Sequence, residues 1–227
     1  MKARSDFRKG LENLKPFFLV YILVFMKISD SVTRIEGTTA HSYSVEHEGQ
    51  VVLIDAGMKS SAKKIVDYYG EIGKKPDVIL ITHYHVDHIG GLALLNEKYS
   101  PKIYAPKEEI PVIEGKSRPA QPKSMLSKFV SVFGKTDIVS GVLPVEEFQS
   151  QWMKAIPTIG HTPGSTSYLF EPEGMLFVGD AVNIKGSEAT VNKQFSLDLV
   201  KAEESRKKIM SMSGATILPG HGDPLKL

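Results

Sequence analysis

The feature that most constrains this chain is the six-residue run His-Tyr-His-Val-Asp-His at residues 83–88, which directly follows a short apolar stretch. The apolar stretch has the composition of a buried strand. In an extended segment, side chains two positions apart leave the backbone on the same side, so His83 and His85 can bind one ion. Asp87 and His88 come where the chain must leave the strand. The run therefore predicts a site for one or two metal ions.

The absence of cysteine limits the ligands that such a site can have. Without thiolates the chain forms neither disulfides nor sulfur-ligated metal sites, so nitrogen and oxygen atoms must hold any ion. The chain has 227 residues, of which 41% are hydrophobic. This is enough for one large domain or two small ones with a well-buried core.

From residue 32 onward, short β-like runs alternate with helical patterns and turn residues, which indicates an α/β protein. Strands are predicted over residues 32–36, 40–46, 51–54, 78–82, 102–105, 166–170, 175–178 and 215–218. Helices are predicted over residues 61–69, 92–98 and 197–212. The sequence Glu-Pro-Glu-Gly at residues 171–174 predicts a hairpin between the strands on either side of it.

Three later polar residues each follow an apolar β-like run. They are His161, Asp180 and His221, and a glycine precedes each of them. Loops at strand ends are where a rigid scaffold presents functional side chains. Taken alone, each could be an ordinary turn residue, but together with the 83–88 run they are candidates for further metal ligands.

With these motifs, the chain resembles the metallo-β-lactamase fold superfamily over roughly residues 28–227. The motifs that carry the resemblance are Thr-His-Tyr-His-Val-Asp-His-Ile-Gly-Gly at 82–91, Gly-His-Thr-Pro-Gly at 160–164, Gly-Asp at 179–180, Gly-His-Gly at 220–222 and Leu-Ile-Asp-Ala-Gly at 53–57. The resemblance implies an α/β fold of the αββα sandwich type, with a metal site at one edge of the sheets.

The resemblance also implies a site for two divalent metal ions. The implied ligands are His83, His85 and His161 for the first ion, Asp87, His88 and His221 for the second, and Asp180 as a bridge. Asp55 would support the metal loops from a strand end, while His41 and His47 are interpreted as ordinary surface or packing residues. All-nitrogen and oxygen ligands suit Zn²⁺, and iron or manganese is also compatible with them.

The implied activity is that of a metal-dependent hydrolase. Two ions would share a hydroxide that attacks a small ester, thioester or lactone. Asp87 and Asp180 would orient the hydroxide, and Asp87 could pass its proton to the leaving group. The absence of cysteine argues against the lactamases that use a Cys ligand, and Asp180 argues against those with only His ligands. His85 stands where the flavin-linked diiron branch has Glu.

These departures favour a glyoxalase II-like or lactonase-like branch. Only six residues follow His221, so the helical extension that helps to hold glutathione in glyoxalase II has no counterpart. Three alternatives remain open. They are a phosphodiesterase, a mononuclear-iron dioxygenase of the persulfide type, and a metal-holding binding module without activity.

Residues 115–136 differ in character from the rest, because they carry five basic residues and no acid around apolar residues at helical spacing. We interpret them as an amphipathic helix, which is either solvated on one face or a lid over the metals. As a lid, Leu126, Phe129 or Phe133 would face an acyl chain and Lys116 or Lys123 an anionic group. Tyr168 and Lys185, near the downstream ligands in sequence, are interpreted as an ordinary strand Tyr and loop Lys.

The remaining expectations concern partners and the N-terminal segment. Residues 1–15 carry a net charge of +3 and the remainder −1, so we expect a small-molecule substrate and no nucleic acid. Ten apolar residues at 17–26 are too few for a membrane span of about 20. We divide the chain into an extension, 1–27, and a domain, 28–227. The extension is either an extra buried or interfacial helix or untranslated sequence upstream of a true start at Met26. A cytoplasmic location is expected, membrane contact or a signal through residues 1–26 is the lesser alternative, and oligomeric state is open.

Overall fold

Two β-sheets face each other, and helices cover their outer surfaces, in the computed structural model, which describes residues 25–120 and 137–227. The strands of the first sheet lie in the order of the sequence. They are β1 (Phe25–Lys27), β2 (Val32–Ile35), β3 (Ser42–His47), β4 (Gln50–Ile54), β5 (Val78–Leu80), β6 (Lys102–Ala105) and β7 (Leu143–Pro144). Strands β1 to β4 pair antiparallel, and β4 to β7 pair parallel.

The second sheet is built by the later part of the chain. Its strands are β8 (Met153–Pro157), β9 (Thr166–Phe170), β10 (Met175–Gly179), β13 (Thr216–Pro219) and β14 (Leu225–Lys226), and a small separate hairpin is formed by β11 (Asn183–Lys185) and β12 (Glu188–Thr190). The order is β14, β13, β10, β9, β8, in which the pair β10 and β13 is parallel. The predicted hairpin is present, since β9 and β10 pair antiparallel.

The helices in the described ranges occupy the two outer layers or the loops. They are α1 (Ala62–Glu71), α2 (Val86–Ile89), α3 (Leu92–Tyr99), α4 (Ile110–Ile113) and α5 (Leu199–Met210). Helices α1 and α3 pack on the first sheet, and α5 packs on the second. Helix α5 begins two residues later than predicted, because the Asp198 side chain accepts the backbone N–H groups of Val200 and Lys201 and caps the helix there.

The central strands are apolar on both faces because both faces are covered. In β4, Val52 and Ile54 face the second sheet, whereas Leu53 packs on the helical side. In β5, Val78 faces the second sheet and Ile79 the helices. This two-residue alternation follows from the pleat of a strand, and it explains why these runs lack polar residues. The four layers are those of the predicted αββα sandwich.

Most of the predicted extension and most of the predicted lid lie outside the described residues. Residues 25–27, assigned to the extension, form strand β1, which pairs with β2 in the first sheet, while residues 1–24 lie outside the described ranges. Of the basic segment, residues 121–136 lie outside, so the helix and lid predictions stay predictions; Lys116 is described and forms an ion pair with Glu114. Within the described ranges, none of the helices has the length and apolar character needed to cross a bilayer.

Candidate metal centre

The predicted ligands lie at one edge of the sandwich because the parallel strands end there. Asp55 follows β4, and His83 comes three residues after β5 in the first sheet. Asp180 follows β10, and His221 comes two residues after β13 in the second sheet. The carboxyl ends of parallel strands point to the same edge, and loops from both sheets therefore converge. The structure brings all seven predicted ligands together in two groups.

The first group, called here the three-histidine group, consists of His83, His85 and His161. The Nδ1 atom of His85 lies 3.0 Å from Nε2 of His83 and 2.9 Å from Nε2 of His161. Burial lowers the pKa of all three imidazoles, so they are neutral and offer lone pairs. Three ring nitrogens that converge in this way have the donor arrangement that a divalent ion requires.

The second group, called here the Asp-His-His group, consists of Asp87, His88 and His221, and its ligand atoms also lie within 4.8 Å of one another. The Nε2 atom of His221 lies 3.1 Å from Oδ2 of Asp87. Burial favours the protonated acid, but His88 and His221 lower the pKa of Asp87 to about 2. Asp87 and His88 lie on the single-turn helix α2, directly after the loop that carries His83 and His85.

Asp180 lies between the two groups. Its Oδ2 atom is 3.4 Å from Nε2 of His161, and its Oδ1 atom is 3.3 Å from Nε2 of His88 and 3.6 Å from Nε2 of His221. Burial favours the protonated acid, yet the surrounding histidines hold the pKa of Asp180 well below its usual range. The carboxylate thus has one oxygen toward each group, as a bridging ligand would.

Two buried polar atoms of the site lack hydrogen-bond partners within the described part of the chain, and a bound metal ion would provide them with one. The Nε2 atom of His88 and the Oδ1 atom of Asp180 are buried, and neither has a hydrogen-bond partner of acceptable geometry among the described residues. A buried polar atom without a partner costs free energy. Coordination to a divalent ion would satisfy both atoms, and the nitrogen and oxygen donors around them suit such an ion.

Asp55 forms hydrogen bonds that reach both groups. Its Oδ2 atom accepts hydrogen bonds from Nδ1 of His88, at 2.7 Å, and from Oγ1 of Thr82, at 2.8 Å. Its Oδ1 atom accepts the backbone N–H of Thr82. Thr82 Oγ1 is in turn 3.0 Å from Nδ1 of His83. One carboxylate therefore orients His88 directly and His83 through Thr82, a residue that the sequence alone did not mark as functional.

Two glycines near the site are explained by close packing. Gly90 and Gly91 follow α2, and neither has a positive φ, so backbone conformation does not require glycine at these positions. A Cβ at Gly91 would lie only 2.2 Å from the carbonyl oxygen of Ala56. The pair is therefore required because the loop after α2 runs directly against the loop after β4, which keeps Asp55 close to His88.

The histidines that were not predicted as ligands lie outside both groups. The Nδ1 atom of His41 is 3.2 Å from the carbonyl oxygen of Pro219. The ring of His47 packs edge-on against Trp152, with 5.2 Å between ring centroids, and against Phe170.

Tyr168 and Lys185 also lie outside the two groups of ligands. Tyr168 is fully buried and donates its hydroxyl hydrogen to the carbonyl oxygen of Ile81 over 2.7 Å. Lys185 ends the short strand β11 and is exposed. A second residue that the sequence did not mark, Glu109, is buried beside the three-histidine group.

Comparison with known protein families identifies the superfamily of this chain. Residues 36–221 match the family model described as the metallo-beta-lactamase superfamily. The chain belongs to this superfamily. Among curated proteins, it is similar to the probable metallo-hydrolase YflN of Bacillus subtilis (strain 168), with 34% identity over 203 residues, covering 77% of this chain and 76% of the relative. The predictions of this superfamily and of a metal-dependent hydrolase are confirmed.

Further comparisons concern a shorter relative and two solved structures. The exodeoxyribonuclease WalJ of Streptococcus pneumoniae serotype 2 is 35% identical over 115 residues, 49% of this chain and 41% of that protein. TTHA1623 in a di-iron-bound form has a TM-score of 0.68 and 24% identity, covering 85% of this chain and 92% of that one. The Rm3 metallo-beta-lactamase has a TM-score of 0.69 and 19% identity, covering 87% and 78%. These two structures confirm the predicted metallo-β-lactamase fold.

Proposed function

We propose that the protein is a dinuclear metal-dependent hydrolase of a small ester, thioester or lactone. The observation that carries the proposal is the position of Asp180, whose two oxygens lie 3.4 Å from His161 and 3.3 Å from His88. These histidines belong to different groups. A carboxylate in contact with both groups is the arrangement expected of a ligand shared by two ions a few ångströms apart.

The three-histidine group would hold one ion, the Asp-His-His group the other, and Asp180 both. When bound, two divalent ions would supply Lewis acidity for the carbonyl oxygen and lower the pKa of a water molecule. Nitrogen and oxygen ligands without cysteine favour Zn²⁺ as the resident ion. Iron and manganese are the alternatives, and the di-iron form of TTHA1623 is a reason to include iron in the test.

Each group has members that solvent can reach. The side chains of Asp87 and His221 are 23% and 35% exposed and His85 is half-buried, whereas His83, His88 and His161 are buried. The neighbouring histidines lower the pKa of Asp87, so it is ionised at neutral pH and would orient the attacking nucleophile; as a carboxylate at the reacting centre it could also pass the proton of that nucleophile to a leaving alkoxide or thiolate.

A small-molecule substrate is part of the proposal. The formal charge of the chain is +2, and much of the basic excess lies in residues 1–15, outside the described ranges. A nearly neutral body offers little attraction for a phosphate backbone, which is bound mainly by many basic contacts.

Phosphodiester hydrolysis is the second candidate, and the similarity to WalJ favours it. That protein is named an exodeoxyribonuclease, and the same two-ion chemistry can act on a phosphoryl group. A third candidate is the mononuclear-iron dioxygenase of the persulfide type, which would need one iron per chain. Each candidate makes a different demand on metal content and on substrate.

Elemental analysis of reconstituted protein, combined with a substrate panel, tests these candidates. The protein is prepared metal-free, loaded with Zn²⁺, Fe²⁺ or Mn²⁺, and assayed on an aryl ester, an acyl thioester, an acyl lactone, an aryl phosphodiester and a glutathione persulfide with oxygen. We expect two ions per chain and turnover of an ester, thioester or lactone. Turnover of the phosphodiester alone would favour the second candidate, and one iron with oxygen uptake would favour the third.

A further inference from the structure

Glu109 is a fully buried carboxylate that the proposed hydrolysis does not use. It follows β6 and comes directly before α4, and its relative exposure is 0%. No basic side chain among the described residues forms an ion pair with it. A buried carboxylate without a cation nearby is costly, and burial raises the pKa of Glu109 to about 7. Its hydrogen bonds are the reason that the fold can accommodate it.

These hydrogen bonds join Glu109 to two loops. Its Oε2 atom accepts the backbone N–H of Tyr84 over 2.9 Å. Its Oε1 atom accepts the backbone N–H of Gly164 over 2.6 Å and the hydroxyl of Thr162 over 2.9 Å. Tyr84 lies between His83 and His85 in the chain, and Thr162 follows His161. The carboxylate therefore contacts the loops that carry every member of the three-histidine group.

The two loops come from different sheets. The loop with Tyr84 follows β5 of the first sheet, and the loop with Thr162 connects β8 to β9 of the second. A backbone hydrogen bond from Thr166 to the carbonyl of Thr82 also joins them, nearer the strands. Glu109 provides the connection beyond the strands, where the imidazoles lie.

Only a glycine at position 164 leaves room for the Glu109 carboxylate. A Cβ at position 164 would lie 2.7 Å from Oε1 of Glu109 and 2.9 Å from its Cγ. Its φ is not positive, so backbone conformation does not require a glycine here. The absence of a side chain is instead what lets the carboxylate reach the Gly164 N–H.

We propose that Glu109 is a positioning residue, which ties together the loops of His83, His85 and His161 and so sets the affinity of the three-histidine group for its ion. The inference rests on the proposed metal function. Glu109 contacts the backbone on both sides of the ligands, and a small shift of either loop would separate imidazole nitrogens that now lie about 3 Å apart. Loss of a residue that orients metal ligands typically weakens metal binding about 10–100-fold.

Glu109→Gln and Gly164→Ala test the proposal, with Glu108→Gln as the matched control. Glu109→Gln keeps the shape of the side chain. However, an amide NH2 group replaces one of the two carboxylate oxygens that accept hydrogen bonds from the loops. In Gly164→Ala the carboxylate is pushed away while its charge remains. Glu108 is the adjacent carboxylate and is exposed.

Metal-free protein is titrated with Zn²⁺ against a chromophoric chelator, with the ion content counted by elemental analysis. Thermal unfolding is recorded without metal and with Zn²⁺. We expect one of the two ions to bind about 10–100-fold more weakly in both test variants and unchanged in Glu108→Gln. A role in general stability alone would lower the unfolding temperature of the metal-free protein and leave the two dissociation constants as they are.

Unchanged affinities in a folded Glu109→Gln variant would overturn the proposal. If that variant does not fold, Gly164→Ala decides in the same way, and failure of both to fold with or without Zn²⁺ would assign Glu109 to the fold and reject a role in tuning the ion. If the unaltered protein binds no ion, the proposed function itself fails, so the two failures are distinguishable.

Discussion

The Nδ1 atom of His88 lies 2.7 Å from Oδ2 of Asp55, and both side chains are almost completely buried. Asp55 also has a φ of 57°, in the left-handed region that few residues other than glycine adopt. Aspartate and asparagine tolerate this conformation better than most. The position thus requires a short polar side chain for its backbone and a carboxylate for its partners.

Asp55→Asn separates these two requirements. Asparagine keeps the size and tolerates the positive φ, but it replaces one carboxylate oxygen with an amide N–H that faces the donors of Thr82 or His88. We expect the folded variant to bind metal about 10–100-fold more weakly, as measured by chelator competition. Asp67→Asn, at a surface ion pair with Lys63, is the control and should bind as the unaltered protein does. If Asp55→Asn bound metal as tightly as the unaltered protein does, Asp55 would have no supporting role in metal binding.

Asp180→Ala removes the ligand between the two groups. The variant should remain folded, by circular dichroism, but lose at least one ion in elemental analysis. Its kcat/KM should fall by about 10²–10³ or more, because the shared charge at the reacting centre is gone. Full turnover with two bound ions would contradict the site assignment.

Gly220→Ala adds one methyl group at the site without removing a ligand. The new Cβ would lie 2.6 Å from Oδ1 of Asp180 and 2.8 Å from Cε1 of His88. Gly220 does not have a positive φ, so we expect the main effect to be displacement of these two side chains and loss of metal. The control is Gly70→Ala in α1, where a Cβ meets nothing within 4 Å and should stabilise the fold by about 0.4–1 kcal/mol.

Metal retention should depend on pH differently in the two groups. The hydrogen bond to Asp87 raises the pKa of His221, and carboxylates around His88 raise its pKa well above the usual range although burial opposes this. Protons therefore compete with an ion for these two histidines, and competition increases as pH falls. The three-histidine group has lowered pKa values, so its ion should be retained to lower pH. Elemental analysis after dialysis across a pH series should show two steps; one shared step would contradict this.

Tyr168→Phe distinguishes a packing role from a role in substrate binding. The variant removes the hydroxyl that donates to the carbonyl of Ile81, and the buried acceptor loses this donor. The free energy of unfolding should fall by about 1–3 kcal/mol in a denaturant titration. Its kcat/KM should be unchanged, since the ring lies between the sheets. Lys185→Ala, at the exposed end of β11, should alter neither value.

The strands could be predicted from the sequence, and so could the strand-end positions of the seven candidate ligands, because apolar runs and the polar residues directly after them are local signals. A buried strand such as β5 is a continuous apolar run, and His83 and His85 follow it within a few residues. The bounds differ by one or two residues where a hydrogen bond decides them, as the cap by Asp198 does for α5.

Glu109 and Thr82 could not be predicted, because their roles depend on distant partners. Glu109 is 25 residues from Tyr84 and 53 from Thr162, and its own neighbours, Lys107 and Glu108, make the segment resemble a solvated loop. Only the packing of one sheet on the other brings these residues together. Short strands such as β11 and β12 could not be predicted either, because three residues are too few to show the alternation of a strand.

The distance along the chain between paired ligands has a consequence for biogenesis. Asp87 and His221 are 134 residues apart, and His85 and His161 are 76 apart. A nascent polypeptide therefore has neither complete group until β8 and β9, and then β13, have left the ribosome and joined the second sheet. The early stages of folding must therefore proceed without either completed group, although the 83–88 run itself is already present. On the proposed two-ion function, the second ion would then be held only after β13 has joined the second sheet.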